Sequence, residues 1–255
     1  MYLCPMLLHC SIDGDSYTAY LTNGIDLSQG FGPNGDNALA FHIPPANIEP
    51  IRVGDFVGSV AAGSGANCEV IQFCAHGNGT HTECIGHITR ERNSVNKLIQ
   101  PGILAACLIS ATPEKQGEDW IITATELKKL ALQRTPAVII RTNNISEIRG
   151  KNWSGTNPCY FEPAAIQLLV DAGYQHILTD LPSIDREEDE GALASHHVWW
   201  QYPANPRMHA SITELIVVPE NTPDGLYLLS LQFAPIESDA SPSRPVIYPL
   251  NPARP

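Results

Sequence analysis

Residues 137–179 read AVIIRTNNISEIRGKNWSGTNPCYFEPAAIQLLVDAGYQHILT, and this stretch decides the fold class. It begins with a continuous apolar run, Ala137–Arg141, which is typical of a strand covered on both faces. Pro163 suits the first turn of a helix, and Gly173 suits its C-terminal cap. His176–Thr179 is predicted to be the next buried strand. Strand, helix and strand in this order predict a right-handed crossover between two parallel strands.

Short elements are predicted on both sides of this unit. Thr123 and Glu126 form a capping-box pattern ahead of a helix over 127–133. Four further strands are predicted at Val53–Ala62, Glu69–Ala75, Leu215–Val218 and Leu226–Phe233. Residues 238–255 are predicted to form a Pro-rich tail that extends over the surface. No internal repeat or long linker divides the chain. We therefore expect a single α/β domain over residues 1–255, with mixed β-sheets and flanking helices.

Composition excludes several classes of function. The chain has 255 residues and a formal charge of -12, from 27 acidic and 15 basic side chains. Such acidity argues against nucleic acid and against an anionic membrane surface as partners, because both are bound through Lys and Arg. No stretch approaches the roughly 20 apolar residues of a membrane span. Seven cysteines without a CxxC pair, and no signal-peptide pattern, favour a cytoplasmic protein with reduced thiols.

Most candidate metal ligands lie within residues 76–87, HGNGTHTECIGH. Imidazole and carboxylate groups are the usual ligands of a catalytic Zn²⁺ or similar ion. His81 and Glu83 are two residues apart, so they share a face if the segment is extended. His87 suits either a ligand or an acid/base, because the unperturbed pKa of imidazole is near neutrality. Three glycines in the window let the backbone curl around one centre.

This window resembles the signature of the metal-dependent cyclase family, which includes bacterial kynurenine formamidases and isatin hydrolases. That signature runs His-x-Gly-Thr-His-x-Asp-x-Pro-x-His, and Gly79-Thr80-His81, Glu83 and His87 stand at its matching positions. The resemblance continues, in order, through roughly residues 75–247. Its further segments are Val138–Thr142 followed by Trp153, Phe161–Gly173, Asp180–Asp185, Ala194–His197, Glu214 and Asp239–Arg244.

The resemblance implies a cyclase-family (swivelling β/β/α) fold and a set of roles. One divalent ion would be held by His76, His81 and Glu83, and a second by Glu83, His196 and Glu214. His87 would be the general acid/base. Zn²⁺ is expected, or Mn²⁺, at one or two ions per chain. The substrate would be a small molecule such as N-formylkynurenine, hydrolysed in tryptophan catabolism, and the assembly would be a homodimer or homotetramer.

The chain departs from the family pattern at several positions. Gly77 stands where the family has its first histidine, so one extra residue must bulge for His76 to reach the ion. Glu83 replaces the family aspartate, and Ile85 replaces its proline. His196 and His197, if they lie in a strand, point to opposite faces, and the resemblance selects His196.

The substrate contacts and the activity have alternatives. The aromatic residue that contacts an aryl substrate in formamidases has no clear counterpart, and Phe31 and Phe41 are stand-ins for it. Trp199 is a further weak candidate, for which packing in the core or an interface is the favoured interpretation. The alternative activities are hydrolysis of another cyclic or aryl amide or lactone, as in isatin hydrolases, and a non-catalytic binding module with a degenerate metal site.

Overall fold

The computed structural model describes residues 6–32, 37–100, 102–142 and 150–253. The strands are β1 (Leu7–Ile12), β2 (Asp15–Tyr20), β3 (Ile25–Asp26), β4 (Asn47–Pro50), β5 (Arg52–Val53), β6 (Phe56–Val57), β7 (Glu69–Gln72), β8 (His81–Glu83), β9 (Gly102–Ala111), β10 (Glu114–Gln116), β11 (Asp119–Ile122), β12 (Ala137–Thr142), β13 (Tyr160–Phe161), β14 (His176–Thr179), β15 (Ser211–Glu214), β16 (Gly225–Leu231), β17 (Ala240–Pro242), β18 (Val246–Pro249) and β19 (Asn251–Pro252). The helices are α1 (Ala75–Asn78), α2 (Val95–Leu98), α3 (Ala124–Leu127), α4 (Pro163–Asp171) and α5 (Ala194–Trp200). Two 3₁₀ turns cover Val60–Ala62 and Ile85–His87.

A nine-stranded mixed sheet forms the centre of the fold, in the order β17-β8-β15-β14-β12-β9-β16-β18-β3. Its four middle strands, β15, β14, β12 and β9, run parallel. β8 and β16 pair antiparallel with β15 and β9, and β17, β18 and β3 extend the sheet by further antiparallel pairs. The predicted mixed α/β architecture is therefore confirmed.

The parallel strand–helix–strand unit predicted from residues 137–179 is confirmed. β12 and β14 pair parallel with Ala137 opposite His176, and α4 lies between them in the chain. Gly173 follows α4 with φ +88°, the left-handed conformation that glycine adopts without steric cost.

Both faces of β12 are covered, which explains its continuous apolar run. Val138 and Ile140 pack with Ile166 of α4 in one core. Ile139, on the opposite face, packs with Leu229 of β16 in a second core. Side chains alternate between the faces of a strand, so a strand buried on both sides needs apolar residues at successive positions.

Two predictions for the C-terminal part are wrong. The strand expected at Leu215–Val218 lies earlier, at β15, because Leu215 adopts φ +57° and ends the extended run. The tail expected on the surface instead supplies β17, β18 and β19, and the side chains of Ser241 and Ile247 are fully buried. Leu226–Phe233 corresponds to β16, which ends two residues earlier than expected.

Local patterns in the first half predict the elements only in part. Val53–Ala62 is not one strand, because the β5–β6 hairpin and a 3₁₀ turn divide it. The strand expected over Glu69–Ala75 is β7, which ends at Gln72. The helix expected over 127–133 is wrong in its bounds, because α3 begins at Ala124 and ends at Leu127. The Thr123 hydroxyl accepts a hydrogen bond from the Glu126 amide at 3.1 Å. The Glu126 carboxylate accepts instead from the Thr112 amide, so the capping box is only half formed.

Six cysteines in the described part of the chain are free thiols. Among the described residues, no helix combines the length and apolar character that crossing a bilayer requires. The single-domain organisation, the cytoplasmic location and the homo-oligomer stay predictions.

His176, at the start of β14, gives the fold a testable pH dependence. Its Nδ1 lies 2.8 Å from the Ser211 hydroxyl, and burial, together with Arg207, lowers its pKa to about 4. The unfolded chain takes up this proton near pH 6.5, so stability is complete above that pH and is lost as the pH falls toward 4. The lowered pKa of His176 thus contributes about 3 kcal/mol to the free energy of unfolding above pH 6.5.

We therefore expect His176→Asn to flatten the stability profile on the acid side. Chemical denaturation at pH 7 and pH 4 should show that the variant loses less unfolding free energy than the wild type, by up to about 3 kcal/mol. Equal losses in the two proteins would show that His176 is not held neutral in the fold.

Candidate metal centre

Strand β8 carries two of the predicted ligands and lies between β15 and β17. Glu214 is opposite His81 in the β8–β15 pair. Directly opposed residues present their side chains on the same face of a sheet, and the His81 Nε2 to Glu214 Oε2 distance is 3.4 Å. His81 and Glu83 lie in extended backbone, as predicted, and both are fully buried. Glu214 was expected just before a strand that begins at Leu215, but it is the last residue of β15.

Helix α5 brings His196 to the same place. The assumption that His196 and His197 lie in a strand is wrong. Successive helical residues differ by about 100° around the axis, so only one of the two faces the cluster. His196 does, with its Nε2 3.2 Å from Glu83 Oε1, whereas His197 lies beside the Tyr202 carbonyl.

Asp185 holds His196 in position. Its carboxylate accepts the backbone N–H groups of Ser195 and His196, at 2.7 and 3.0 Å. The same carboxylate lies 2.6 Å from His196 Nδ1. The ring is therefore fixed with Nε2 directed toward Glu83. This arrangement of a carboxylate behind an imidazole is typical of metal-binding histidines.

His76 and His87 complete the cluster from either side of β8. The helical turn α1 takes up the extra residue that we expected to bulge, and His76 Nδ1 lies 3.1 Å from Glu83 Oε2. His87 ends the 3₁₀ turn, with Nδ1 3.9 Å from the same oxygen. The side chains of His76 and His87 are 19% and 27% exposed, so they form the open side of the cluster.

The glycines of this window serve close packing. Gly77, Gly79 and Gly86 are outside the left-handed region, so the expected backbone curl is not their role. A Cβ on Gly86 would lie 2.4 Å from the Asn93 carbonyl oxygen, and one on Gly79 would lie 2.9 Å from the Phe31 ring. The loop around the ligands can approach its neighbours only because these side chains are absent.

The donor atoms fit a divalent cation. Among the described residues, Glu83 Oε1, Glu83 Oε2 and His81 Nε2 are buried without a hydrogen-bond partner. Ring nitrogens approach the two oxygens within 3.2 Å, but their geometry is not that of a hydrogen bond. Leaving such groups unpaired costs free energy, which a bound ion would recover. Imidazole nitrogen and carboxylate oxygen are donors that Zn²⁺ and Mn²⁺ accept.

Charge pairing dominates the electrostatics of the cluster. Burial opposes a charge on His196, but Asp185 and Glu83 beside it raise its pKa to about 10. Burial also disfavours ionised Glu83, yet His87, His196 and His76 around it hold the pKa of that carboxyl well below its usual range. Burial of His76 is outweighed by Asp239 and Glu83, which raise its pKa well above the ordinary value. A divalent cation would displace protons from this cluster, so its affinity should fall at acid pH.

The proposed substrate contacts lie in different environments. Phe31 packs edge-on against Phe73 at 5.2 Å between centroids and lines a cavity of about 570 Å³. Phe41 is half-buried against a small cluster that contains Leu215, next to Glu214. Trp199 is fully buried in the core, with the Arg207 guanidinium 4.6 Å from its ring centroid, which favours the packing interpretation; its contact with substrate stays a prediction.

Sequence reasoning missed two carboxylates at the site, Asp185 and Asp239. Both stand in segments that resemble the family, but nothing in their spacing connects them with the histidines. Asp239 Oδ2 lies 2.8 Å from His76 Nε2 and 3.5 Å from His87 Nδ1. Only the pairing of β17 with β8 brings Asp239 there, and the sequence offered no local signal for that pairing.

The fold and the cluster together define an α/β protein with a buried histidine–carboxylate centre at one side of a mixed sheet. The chain belongs to the family described as "Putative cyclase", whose model matches residues 25–186.

Solved structures share this fold. A predicted metal-dependent hydrolase from Bacillus stearothermophilus is 17% identical, with a TM-score of 0.62 over 88% of this chain and 97% of that one. A potential metal-dependent hydrolase with cyclase activity is 16% identical, with a TM-score of 0.64 over 89% and 98%. An isatin hydrolase bound to the product analogue thioisatinate is 15% identical, with a TM-score of 0.60 over 90% and 92%. Likeness at these identities shows a common fold.

The cluster predicts a metal-dependent gain in stability that requires Glu83. An ion at 100 times its dissociation constant adds about 2.7 kcal/mol to the free energy of unfolding. Zn²⁺ or Mn²⁺ should therefore raise the melting temperature of the wild type. Glu83→Gln, which removes the central charge, should lose most of that increase.

Glu237→Gln is the matched control, because the Glu237 side chain is exposed and pairs with Lys97. Differential scanning calorimetry of each protein with and without the ion gives the comparison. An equal increase in wild type and Glu83→Gln would place the ion elsewhere.

Proposed function

We propose that this protein is a metal-dependent hydrolase of amide-type C–N bonds, with aryl formamides such as N-formylkynurenine as substrates. The observation that carries the proposal is the Glu83 carboxylate, which is buried, has no hydrogen-bond partner and is surrounded by imidazole nitrogens. Family membership supports it, and the choice of formamide rests on the resemblance of the sequence motifs to formamidases.

The two oxygens of Glu83 support a pair of sites that share this residue. Oε2 lies beside His76 and Oε1 beside His196, with 3.1 and 3.2 Å to the nearest ring nitrogens. His81 and Glu214 approach each other on the same face, 3.4 Å apart. The donor atoms of the first expected set, His76–His81–Glu83, lie within 4.8 Å of one another. In the second expected set, Glu83–His196–Glu214, His196 Nε2 is 4.0 Å from Glu214 Oε1, and His87 rather than Glu214 completes the compact group around Glu83 and His196. The number of ions per chain, one or two, and their identity, Zn²⁺ or Mn²⁺, are to be determined by metal analysis.

The reaction needs a proton carrier as well as an ion. A divalent ion, when bound, acidifies water and polarises a carbonyl oxygen. Water adds to the amide carbonyl, the C–N bond breaks, and the proton released by water must reach the leaving nitrogen. We assign that transfer to His87, because it is the most exposed imidazole of the cluster and its Nδ1 faces carboxylates. The products are a carboxylic acid and an amine.

Hydrolysis of a cyclic amide is the second candidate. The fold shared with isatin hydrolase, at a TM-score of 0.60, favours it. Phe31 and Phe41 remain proposed contacts for an aryl group in either case. The non-catalytic alternative depended on the displaced first histidine, and the contact of His76 with Glu83 removes that reason.

A substrate panel separates these candidates. Purified protein loaded with Zn²⁺ or Mn²⁺ should release formate from N-formylkynurenine, and this activity should exceed opening of isatin or of a lactone. Ring opening without formamidase activity would favour the second candidate. Loaded protein that hydrolyses no member of the panel would contradict the proposal.

Variants test the assigned roles. His87→Ala should lower kcat by about 10²- to 10⁴-fold, the usual contribution of a general acid/base, and should leave the metal content unchanged. His81→Ala should lower metal content and activity together. His9→Ala, an exposed histidine on β1, is the control and should behave as wild type. Full activity in both site variants would show that the roles are wrong.

A further inference from the structure

We propose that Asp239 is a positioning residue that holds His76 with its Nδ1, rather than its Nε2, directed at the metal. This inference rests on the proposed metal centre and assigns a role to a carboxylate that the motif analysis left without one. Asp239 precedes β17, the edge strand beside β8, and its carboxylate is 34% exposed.

The backbone places Asp239 independently of its side chain. Its carbonyl accepts the Cys84 N–H at 2.9 Å, and the next residue, Ala240, is opposite Glu83 in the β8–β17 pair. The Ser238 hydroxyl donates to Asp239 Oδ1 at 2.9 Å. The other oxygen, Oδ2, is therefore presented to the histidines at a position that the sheet determines.

The contacts of His76 divide between its two ring nitrogens. Asp239 Oδ2 lies 2.8 Å from Nε2, and Glu83 Oε2 lies 3.1 Å from Nδ1. The nitrogens of an imidazole point in divergent directions, so a ring offers only one of them to a given ion. With Nε2 held by Asp239, Nδ1 is the donor left for the ion shared with Glu83.

The other two histidines proposed as metal ligands, His81 and His196, have the opposite orientation. His81 Nδ1 lies 3.1 Å from the Gly79 carbonyl, and His196 Nδ1 lies 2.6 Å from Asp185. Each therefore presents Nε2 to the centre. To present Nδ1 instead, His76 needs a hydrogen-bond acceptor at its Nε2. Asp239 Oδ2, 2.8 Å away, is that acceptor.

Asp239 also links this ligand to His87. The same Oδ2 is 3.5 Å from His87 Nδ1, and the His76 and His87 rings lie 4.3 Å apart between centroids. A carboxylate that orients an imidazole through Nδ1 leaves Nε2 for proton transfer to substrate, the logic of a His–Asp pair in hydrolases. One carboxylate thus contacts a proposed metal ligand directly and lies beside the proposed acid/base.

The experiment is a double-mutant cycle on metal affinity. Wild type, Asp239→Asn, His76→Ala and the double variant are titrated with Zn²⁺ against a chelator of known affinity. Asp239→Asn keeps the size of the side chain and loses its charge, and it should weaken Zn²⁺ binding by about 10- to 100-fold. In the His76→Ala background the same substitution should change the affinity by less than about twofold, because its effect passes through His76.

Two controls separate positioning from folding. Glu237→Gln, a nearby exposed carboxylate, should match the wild-type affinity, and circular dichroism should show all variants folded. With Co²⁺ as the probe, the visible absorption of Asp239→Asn should shift, since the ligand geometry changes while the ligand count does not.

Two results would overturn the inference. In one, Asp239→Asn binds Zn²⁺ as tightly as the wild type. In the other, its effect persists undiminished without His76, which would make Asp239 a direct ligand. Both outcomes are measured as Zn²⁺ affinities, without substrate. A wrong role for Asp239 can therefore be distinguished from a wrong assignment of the hydrolysed substrate.

Discussion

The buried carboxylate of Glu83 is the constraint on which the rest of the site depends. A charged group with no exposed surface is costly by several kcal/mol unless opposite charges or an ion surround it. Three imidazoles lower its pKa: His76 and His87, which flank β8 in the chain, and His196 of α5. The side chain therefore requires α5 to lie against β8 and the turns on either side of it.

The sheet brings these segments together through a change of strand direction. The parallel strands β12, β14 and β15 form a core buried on both faces, and β8 then pairs antiparallel with β15. The end of β15 thereby meets the start of β8, so that Glu214 and His81 are opposite each other. The turn after β14 leads to Asp185, which orients His196 at the start of α5. The rigid part of the fold thus determines the geometry of the ligands, as a preorganised site requires.

Sequence reasoning reached the parts of this arrangement that are encoded locally. The apolar run of β12, the proline and glycine at the ends of α4, and the two-residue spacing of His81 and Glu83 are each legible within a few residues. The parts it missed depend on distant partners. Leu215 adopts a left-handed conformation that ends β15, and Asp239 reaches His76 only through the pairing of β17 with β8. A Pro-rich tail carries no periodicity that distinguishes an edge strand from a surface coil.

Anomalous X-ray scattering is the most direct test for an ion bound at Glu83. Crystals grown with Zn²⁺ would be measured on both sides of the zinc absorption edge. An anomalous peak is expected in contact with the Glu83 carboxylate and with ring nitrogens of the surrounding histidines, with His76 bound through Nδ1. Ordered density for these side chains with no peak among them, or a peak only at another place on the molecule, would contradict this expectation.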